Sequence, residues 1–322
     1  MSERIAMQDL IIEQLPQVDE PVMVMGLSGW MDGGNVSTGT IGYLRERLAA
    51  TRFAQIDPLD FYVYNFPVSS IPISVYLEDD RAVVAPVNPM ELAAVFRPHC
   101  EIKDGVIEEM VYPENDFYVA EEENLVLFQG EEPHLRWGAW CDCIFGLAEE
   151  LGITQLWFVG SVAAPIPHTR EPRVSASVSE PELKEGLEQH GIGFGEYEGP
   201  ASVITSLAWH SVPAGIKVRS LVAEVPHYPF LEMPTYPASI LRIVSALNDI
   251  LGLDIELADL RASAEVARSK LNEVMKENDR FRELVAKLEE AYDYQESEAD
   301  EELLRRLIDS VDLEGGDWQA EE

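Results

Sequence analysis

Short apolar runs alternate along this chain with longer segments in which apolar residues recur every three or four positions. The short runs are rich in β-branched and aromatic residues, which is typical of strands buried in a parallel sheet. The longer segments have the period of amphipathic helices. Together they predict an α/β fold, with three α/β/α layers around a mostly parallel sheet. The predicted strands cover residues 10–12, 21–27, 53–66, 124–129, 155–159, 173–179 and 216–225, and the predicted helices cover 36–48, 135–151, 182–190, 203–210 and 236–251.

Residues 67–116 interrupt this alternation with a loose, irregular texture. They contain three short β-like runs, with turn residues at Asp79-Asp80 between the first two and at Asp104-Gly105 before the third. We therefore expect one or two β-hairpins inserted into the core. Because a projecting hairpin has unpaired edges that another subunit can cover, this insert is the candidate for oligomer contacts.

The last part of the chain, residues 256–322, has a pattern of its own. Apolar residues from Leu260 to Leu288 recur at alternating spacings of four and three, which predicts one long helix with a heptad seam. Asn278 within the seam is interpreted as a device that fixes the register. Such a narrow stripe must dock on the core, on a predicted helix at 303–311 or on another subunit. The sequence thus predicts a core of residues 1–255 and a helical arm or lid with an acidic tail; a solvated coiled-coil arm stays open.

Charge excludes some classes of partner. The net charge of -36 repels phosphate backbones and anionic lipid surfaces, so we expect neither nucleic acid nor membrane as a partner. Residues 286–322 alone hold fourteen Asp and Glu against three Lys and Arg. No apolar stretch is long enough to span a bilayer and the N-terminus lacks a signal-peptide pattern, so we expect a cytoplasmic protein. The three cysteines form neither a disulfide framework nor a zinc site, and we predict no metal and no cofactor.

Chemistry-bearing side chains follow the strand at 155–159. Two prolines, Pro165 and Pro167, stiffen the loop that presents His168, Thr169 and Arg170 in a row. Ligands of open α/β sheets bind beyond the carboxyl ends of the strands, which makes these three residues candidates for a binding site. The alternative is structural, with Arg170 paired to a carboxylate and His168 capping a turn.

A glycine-rich loop follows the strand at 21–27. Its candidate site residues are Trp30, Asp32, Gly33, Gly34 and Asn35. The glycines let the backbone turn tightly, and Asp32 or Asn35 can cap the next helix, whose N-terminus then faces the same crevice. The loop matches neither a dinucleotide fingerprint nor a P-loop, so a strand-to-helix turn with no ligand is the alternative.

Acidic side chains end the strand at 124–129, where Glu131 and Glu132 come just before Pro133. They could reach into the crevice opposite Arg170, or simply face the N-terminus of the following helix. His227 follows the strand at 216–225 in the same way. We predict that the four loops meet at one end of the sheet and form one polar pocket for a small polar ligand.

This ordered set of motifs resembles the PAC2 family, in its actinobacterial branch, over about residues 21–260. The family is named for the eukaryotic proteasome assembly chaperone. The resemblance implies a phosphorylase-like α/β/α fold and a homo-oligomer, with a trimer favoured, but no established reaction. The chain departs from the expected pattern where Glu171 stands between Arg170 and Pro172. The motifs are Gly29-Trp30 with Asp32-Gly33-Gly34-Asn35, Gly130-Glu131-Glu132-Pro133 with Arg136-Trp137, Pro167-His168-Thr169-Arg170, Gly199-Pro200 and Pro226-His227-Tyr228.

Two classes of function follow. The first is a non-catalytic oligomeric assembly or ligand-binding protein. The second is an enzyme, phosphorylase-like or hydrolase-like, that acts on a small polar or nucleoside-like metabolite, with His168 as acid or base and Arg170 holding an anionic group. No nucleophile motif, metal constellation or known phosphate loop is present in the sequence. We therefore favour the non-catalytic function.

Overall fold

The computed structural model describes residues 6–7, 9–65, 75–78, 81–84, 96–228 and 235–296. The strands of this part of the chain are β1 (Ala6–Met7), β2 (Leu10–Ile12), β3 (Val22–Ser28), β4 (Thr51–Ile56), β5 (Val75–Glu78), β6 (Arg81–Val84), β7 (His99–Lys103), β8 (Val106–Val111), β9 (Asn115–Ala120), β10 (Leu125–Glu131), β11 (Gln155–Ala164), β12 (Val174–Val178), β13 (Ile192–Phe194) and β14 (Lys217–Pro226). Its α-helices are α1 (Val36–Arg47), α2 (Trp137–Leu151), α3 (Val203–Ser211), α4 (Pro237–Leu251), α5 (Ala258–Glu277) and α6 (Asp279–Glu296).

Ten of the described strands form one large sheet in the order β1-β2-β4-β9-β10-β3-β11-β14-β12-β13, while β5 with β6 and β7 with β8 form separate two-stranded sheets. Its centre is parallel, since β10, β3, β11 and β14 run in the same direction. Both flanks add antiparallel strands, with β9 and β4 beyond β10 and with β12 beyond β14. The predicted α/β class is confirmed, and the antiparallel flanks are a feature that the sequence analysis did not predict.

Helices cover both faces of the sheet, which makes the three predicted layers. In β3 the side chains alternate between faces as strand geometry requires. Val24 packs into the cluster that contains α1 and α4, whereas Met23 and Met25 pack into the cluster that contains α2 and α3. Residues with left-handed φ, Gly152 and Gly252, end α2 and α4.

Local sequence misleads at three places. The predicted strand at 53–66 ends at Ile56, because Pro58 begins a 3-10 turn. The Asp57 carboxylate accepts a hydrogen bond from a backbone N–H group at the start of that turn. The predicted helix at 182–190 is two 3-10 turns, separated at Gly186, which has a φ of +83°. Strand β9 was not predicted, because its apolar run is short and adjoins the irregular insert.

The inserted hairpins are confirmed. Strands β5 and β6 pair antiparallel, and so do β7 and β8, which join through the predicted turn at Asp104-Gly105. Every described residue of β8 is exposed, so this second hairpin projects from the core.

The C-terminal arm, α5 with α6, differs from the predicted continuous helix. The chain breaks at Asn278, whose backbone is extended and whose Oδ1 accepts a hydrogen bond from Phe281 N at 3.0 Å. Asn278 is therefore the N-terminal cap of α6 and not a register device within one helix. The predicted helix at 303–311 and the acidic tail after residue 296 lie outside the described residues. The seam still faces inward, and its buried members are Leu260, Leu271, Phe281, Val285 and Leu288.

None of the described helices combines the length and the apolar composition that a bilayer-spanning helix needs.

Candidate functional site

The glycine-rich loop after β3 is organised by Asp32. Its Oδ1 accepts hydrogen bonds from Ser37 N at 2.7 Å and Thr38 N at 3.2 Å, and its Oδ2 accepts one from Thr38 Oγ1 at 2.7 Å. These bonds cap α1, so the carboxylate meets donors at the helix N-terminus. Burial raises the pKa of Asp32, and the bonds from Thr38 and Ser37 act against that rise. Asn35, the other predicted cap, is exposed and its side chain makes no capping bond.

The same loop folds over the end of β11. Ser161 N donates to Met31 O at 2.8 Å, and Ser161 Oγ donates to Gly33 O at 2.7 Å. Gly34 has a φ of +59°, and a Cβ there would lie 3.1 Å from Tyr236 Cβ. Strands β3 and β11 are where the chain changes direction across the sheet, which is where ligands of α/β proteins commonly bind. Here the loop is held against β11 by the two hydrogen bonds of Ser161.

The Glu132 carboxylate is hydrogen-bonded both to this loop and to the start of α3. Its Oε2 accepts a hydrogen bond from Trp30 N at 3.2 Å, and its Oε1 accepts one from Val203 N at 2.9 Å. The carboxylate thus faces the N-terminus of α3, not that of the helix that follows it in sequence. The Trp30 indole is 66% exposed. Trp30 and Glu132 are close together as predicted, but their contact is a structural bond between loops.

Glu131, at the end of β10, lines a cavity of about 400 Å³. Its carboxyl is half-buried, and burial raises its pKa. No side chain of the described residues donates a hydrogen bond to it. Thr38, which donates a hydrogen bond to Asp32, lines the same cavity.

His168 is buried, with 2% of its surface exposed. Its backbone N donates to Tyr228 Oη at 2.8 Å, and the same hydroxyl lies 2.8 Å from Nδ1. Nε2 lies 3.3 Å from Asn272 Oδ1 in α5. The imidazole also stacks on Phe281 of α6, with centroids 5.8 Å apart and planes at 25°. Both ring nitrogens of this imidazole are therefore engaged by groups of the protein.

Arg170 and Thr169 hold the arm through its second helix. Arg170 Nε and Nη2 donate to the two carboxylate oxygens of Asp293, each at 2.7 Å, and Nη1 donates to Glu289 Oε1 at 3.0 Å. Thr169 Oγ1 donates to the same Glu289 oxygen at 2.5 Å. Hydrogen bonds from Arg170 lower the pKa of Asp293. The pairing of Arg170 with Glu131 or Glu132 is not formed; its partners are these two carboxylates of α6.

The predicted site residues thus fall into two groups. The loops after β3 and β10 bind each other, and Glu131 at the end of β10 lines the cavity, whereas His168, Thr169 and Arg170 bind the arm. His227 belongs to neither group, since its side chain is exposed and its backbone N donates to Ala164 O at 3.2 Å. Among the residues that the structure describes, no group of three or more His, Cys, Asp or Glu is placed to hold a metal ion.

Comparison with known proteins shows the family to which this chain is related. A protein-family comparison matches residues 26–275 to the PAC2 family. The chain belongs to the PAC2 family. This match covers the motifs on which the sequence resemblance rested, and it extends through most of α5.

Solved structures of PAC2 relatives share this fold. A proteasome-assembly chaperone homologue from Mycobacterium tuberculosis is 25% identical, with 82% of this chain and 99% of that chain covered and a TM-score of 0.66. A PAC2 family protein from Streptomyces avermitilis is 26% identical, with 82% and 99% covered and a TM-score of 0.64. An archaeal proteasome activator from Pyrococcus furiosus is 20% identical, with 83% and 99% covered and a TM-score of 0.54, which shows the fold alone. No curated protein matches the chain.

The partners of the His168 loop in this PAC2 protein are not visible in the local sequence. Tyr228 was visible as part of a motif after β14, but nothing local shows that its hydroxyl bonds a loop sixty residues earlier. Phe281 was recognised as an inward-facing seam residue, though not as the ring beneath an imidazole. The remaining partners, Asn272, Glu289 and Asp293, are polar residues of the arm with no distinguishing pattern.

The arm of this PAC2 protein should loosen as the pH falls below about 6.5. Burial holds the pKa of His168 below its ordinary value of 6.5. Its neutral form therefore contributes stability that is fully present above pH 6.5 and is lost as the pH falls through the lower folded pKa. The charged groups that act on it are Glu289, which raises its pKa, and Arg268, which lowers it, while Tyr228 and Asn272 contact the ring.

Amide hydrogen exchange in α5 and α6 at pH 7.5 and 5.5, corrected for intrinsic rates, measures this effect. Wild-type protein should lose protection at pH 5.5, and His168→Gln, which cannot titrate, should show the same protection at both values. The low pKa of Asp293 keeps its pair with Arg170 ionised in this window. An equal loss of protection in the variant would assign the effect to another group.

Proposed function

We propose that this protein is a non-catalytic, oligomeric assembly factor that binds another protein complex. The observation that carries the proposal is the engagement of the His168–Arg170 loop with the arm. The loop carries the imidazole, hydroxyl and guanidinium that would be the natural groups for chemistry, and each makes contacts with α5 or α6.

These contacts disfavour catalysis on physical grounds. A general acid or base must come within hydrogen-bond distance of its substrate. The imidazole of His168 is almost fully buried, and a tyrosine, an asparagine and a phenylalanine surround it. Arg170 already makes a bidentate pair with Asp293, so an anionic ligand would have to displace a carboxylate. The loop is better suited to fasten the arm than to act on a substrate.

The partner that we propose is a proteasome particle. The Mycobacterium tuberculosis relative is described as a proteasome-assembly chaperone homologue and the Pyrococcus furiosus relative as a proteasome activator. In this proposal the arm and the projecting hairpin are the surfaces that a partner or a further subunit can contact. We propose that the protein is cytoplasmic, as the sequence predicts.

The hairpin of β7 and β8 supports a homo-oligomer. Large apolar side chains on it are exposed, and Ile107 is 68% exposed. An isolated two-stranded hairpin is marginally stable in water, and a concentration of exposed apolar surface marks a contact site. We propose that a second copy of the chain covers it, within a trimer. The exposed apolar residues are Ile102, Val106, Ile107, Met110 and Val111.

Ile107→Glu is therefore expected to convert the oligomer to a monomer, because a carboxylate buried without a partner in an apolar contact costs several kcal/mol. Size-exclusion chromatography with light scattering measures the mass. The matched control is Val212→Glu, which adds the same charge at an exposed apolar position just after α3, on neither the arm nor the hairpin. An Ile107→Glu protein that keeps the wild-type mass would show that the hairpin is not the contact.

The wild-type protein and the same two variants also test whether a proteasome is the partner. Purified proteasome subunits from the same organism are mixed with wild-type chain, and native gels follow the appearance of the assembled particle. We expect wild-type protein and Val212→Glu to bind the subunits and accelerate assembly, and Ile107→Glu to lose the effect. If wild-type protein neither binds the subunits nor changes the rate, the proteasome is not its partner.

The second candidate function, an enzyme acting on a small polar or nucleoside-like metabolite, has one observation in its favour. This is the cavity beside Glu131, a carboxyl whose pKa is raised, as general acids require. Turnover of a nucleoside or related metabolite by the purified chain, abolished in Glu131→Gln, would establish it in place of the non-catalytic function.

A further inference from the structure

A cavity lies at the end of β10. It is bordered by the ends of β3 and β10, by the turn after β4 and by the base of the projecting hairpin. Its volume of about 400 Å³ lies in the range of sites that hold small molecules. Aromatic rings and two carboxylates line it, namely Tyr62, Phe96, Tyr112, His134, Glu114 and Glu131.

The two carboxylates are in different states. Glu114 accepts hydrogen bonds from Arg45 Nη1 at 3.3 Å, Gln129 Nε2 at 3.0 Å and Tyr118 Oη at 2.8 Å. Its charge is compensated inside the protein. Glu131 receives no such bond from the described residues, and its carboxyl is half-buried. A half-buried carboxylate without a partner is costly, and a cation placed beside it would offset that cost.

The aromatic rings form a connected wall next to Glu131. Tyr62 and His134 meet edge to face with centroids 5.5 Å apart, and Phe96 lies 6.0 Å from His134. The Tyr62 hydroxyl donates to the Glu131 carbonyl at 2.6 Å, which fixes this ring beside the carboxyl-bearing residue. Ring faces attract organic cations and also accommodate alkyl chains. The wall therefore suits a ligand that has both a cationic group and an alkyl chain.

We propose that this cavity binds a small primary amine, with its ammonium group on the Glu131 carboxylate and its alkyl chain against the aromatic wall. One unpaired carboxylate among rings is a poor site for a metal ion, which needs several oxygen ligands. Arg97 also lines the cavity, and its positive charge disfavours a second cationic group on the ligand. The ligand class is thus a monoamine of small size.

Three probes of equal length test the charge requirement. Pentylammonium, pentanol and pentanoate are each titrated by calorimetry into the full chain at pH 7.5 and 150 mM salt, where surface attraction is screened. Pentylammonium should bind, and the neutral and anionic probes should bind at least about tenfold more weakly, the worth of a charge-assisted hydrogen bond. Equal binding of pentanol would overturn the proposal, since it would leave only the apolar contact.

Two variants separate the site from the general acidity of the protein. Glu131→Gln keeps the size of the side chain and should lose at least about tenfold in affinity for pentylammonium. Glu122→Gln removes the same charge from an exposed turn and should bind as the wild type does. An equal loss in both variants, or none in Glu131→Gln, would overturn the proposal.

A pH series supplies a measurement that needs no variant. Because the carboxyl must be ionised to hold an ammonium group, affinity should fall as the pH drops through the raised pKa of Glu131. Affinity that stays constant down to pH 4 would exclude this carboxyl as the contact. Neither outcome bears on the proposed assembly function, which rests on the arm and the hairpin.

Discussion

Phe281→Ala is expected to release the C-terminal arm while the sheet and its covering helices stay folded. Phe281 is fully buried, stacks on His168 and meets the Tyr228 ring edge to face at 4.8 Å. Removing such a ring costs about 3–5 kcal/mol, from lost apolar burial and from the cavity left behind. The ion pairs of Arg170 are partly exposed and contribute much less.

Limited proteolysis and hydrogen exchange measure the release of α5 and α6. Cleavage within the arm should accelerate strongly in Phe281→Ala, and the β3, β10 and β11 amides should keep their protection. Val274→Ala in α5 is the control, because Val274 is a member of the same seam but is 37% exposed. Loss of protection throughout the chain would show instead that the arm and the core fold as one unit.

The arm covers the His168–Arg170 loop. While the arm is docked, the loop is covered and its polar groups are engaged by Asn272, Glu289 and Asp293. An arm that detaches would expose those groups together with the apolar face that includes Phe281. A partner that binds either surface would therefore favour the detached state.

The elements that sequence predicts well are those whose pattern is local. The central strands and the helices at α1, α2, α3 and α4 follow from short apolar runs and helical periods, and the structure confirms them. The heptad seam predicted correctly that Phe281 faces inward, but not that the helix breaks three residues earlier. That break depends on a competition between continuing the helix and capping a new one, which a heptad pattern does not show.

The predicted pairing of Arg170 with Glu131 or Glu132 is not formed, for a different reason. Sequence could show that four loops end at the same edge of a sheet, but not which groups pair there. Arg170 could meet a carboxylate of the crevice or one from the arm, and the arm supplies both partners from more than one hundred residues away. Asp32 illustrates the opposite case, since the helix cap proposed as its alternative role is a local motif and is the contact that forms.

Ser37→Ala is expected to destabilise the core of the sheet. Ser37 is fully buried at the start of α1, where its Oγ donates to Val159 O at 2.5 Å and accepts from Leu27 N at 2.9 Å. One hydroxyl thus satisfies backbone groups of the two neighbouring strands β3 and β11. Alanine leaves both groups unpaired in an apolar interior, and each buried group without a partner costs about 1–3 kcal/mol.

Urea denaturation monitored by tryptophan fluorescence gives the free energy of unfolding for this variant. Ser269→Ala in the exposed face of α5 is the matched control, and it should leave the stability within about 0.5 kcal/mol of wild type. Gly26 lies directly against Ser37, since a Cβ added to Gly26 would be only 2.7 Å from Ser37 O. The backbone therefore has little room to close over the lost hydroxyl. A Ser37→Ala protein as stable as the control would mean that the two strands find other partners for Leu27 N and Val159 O.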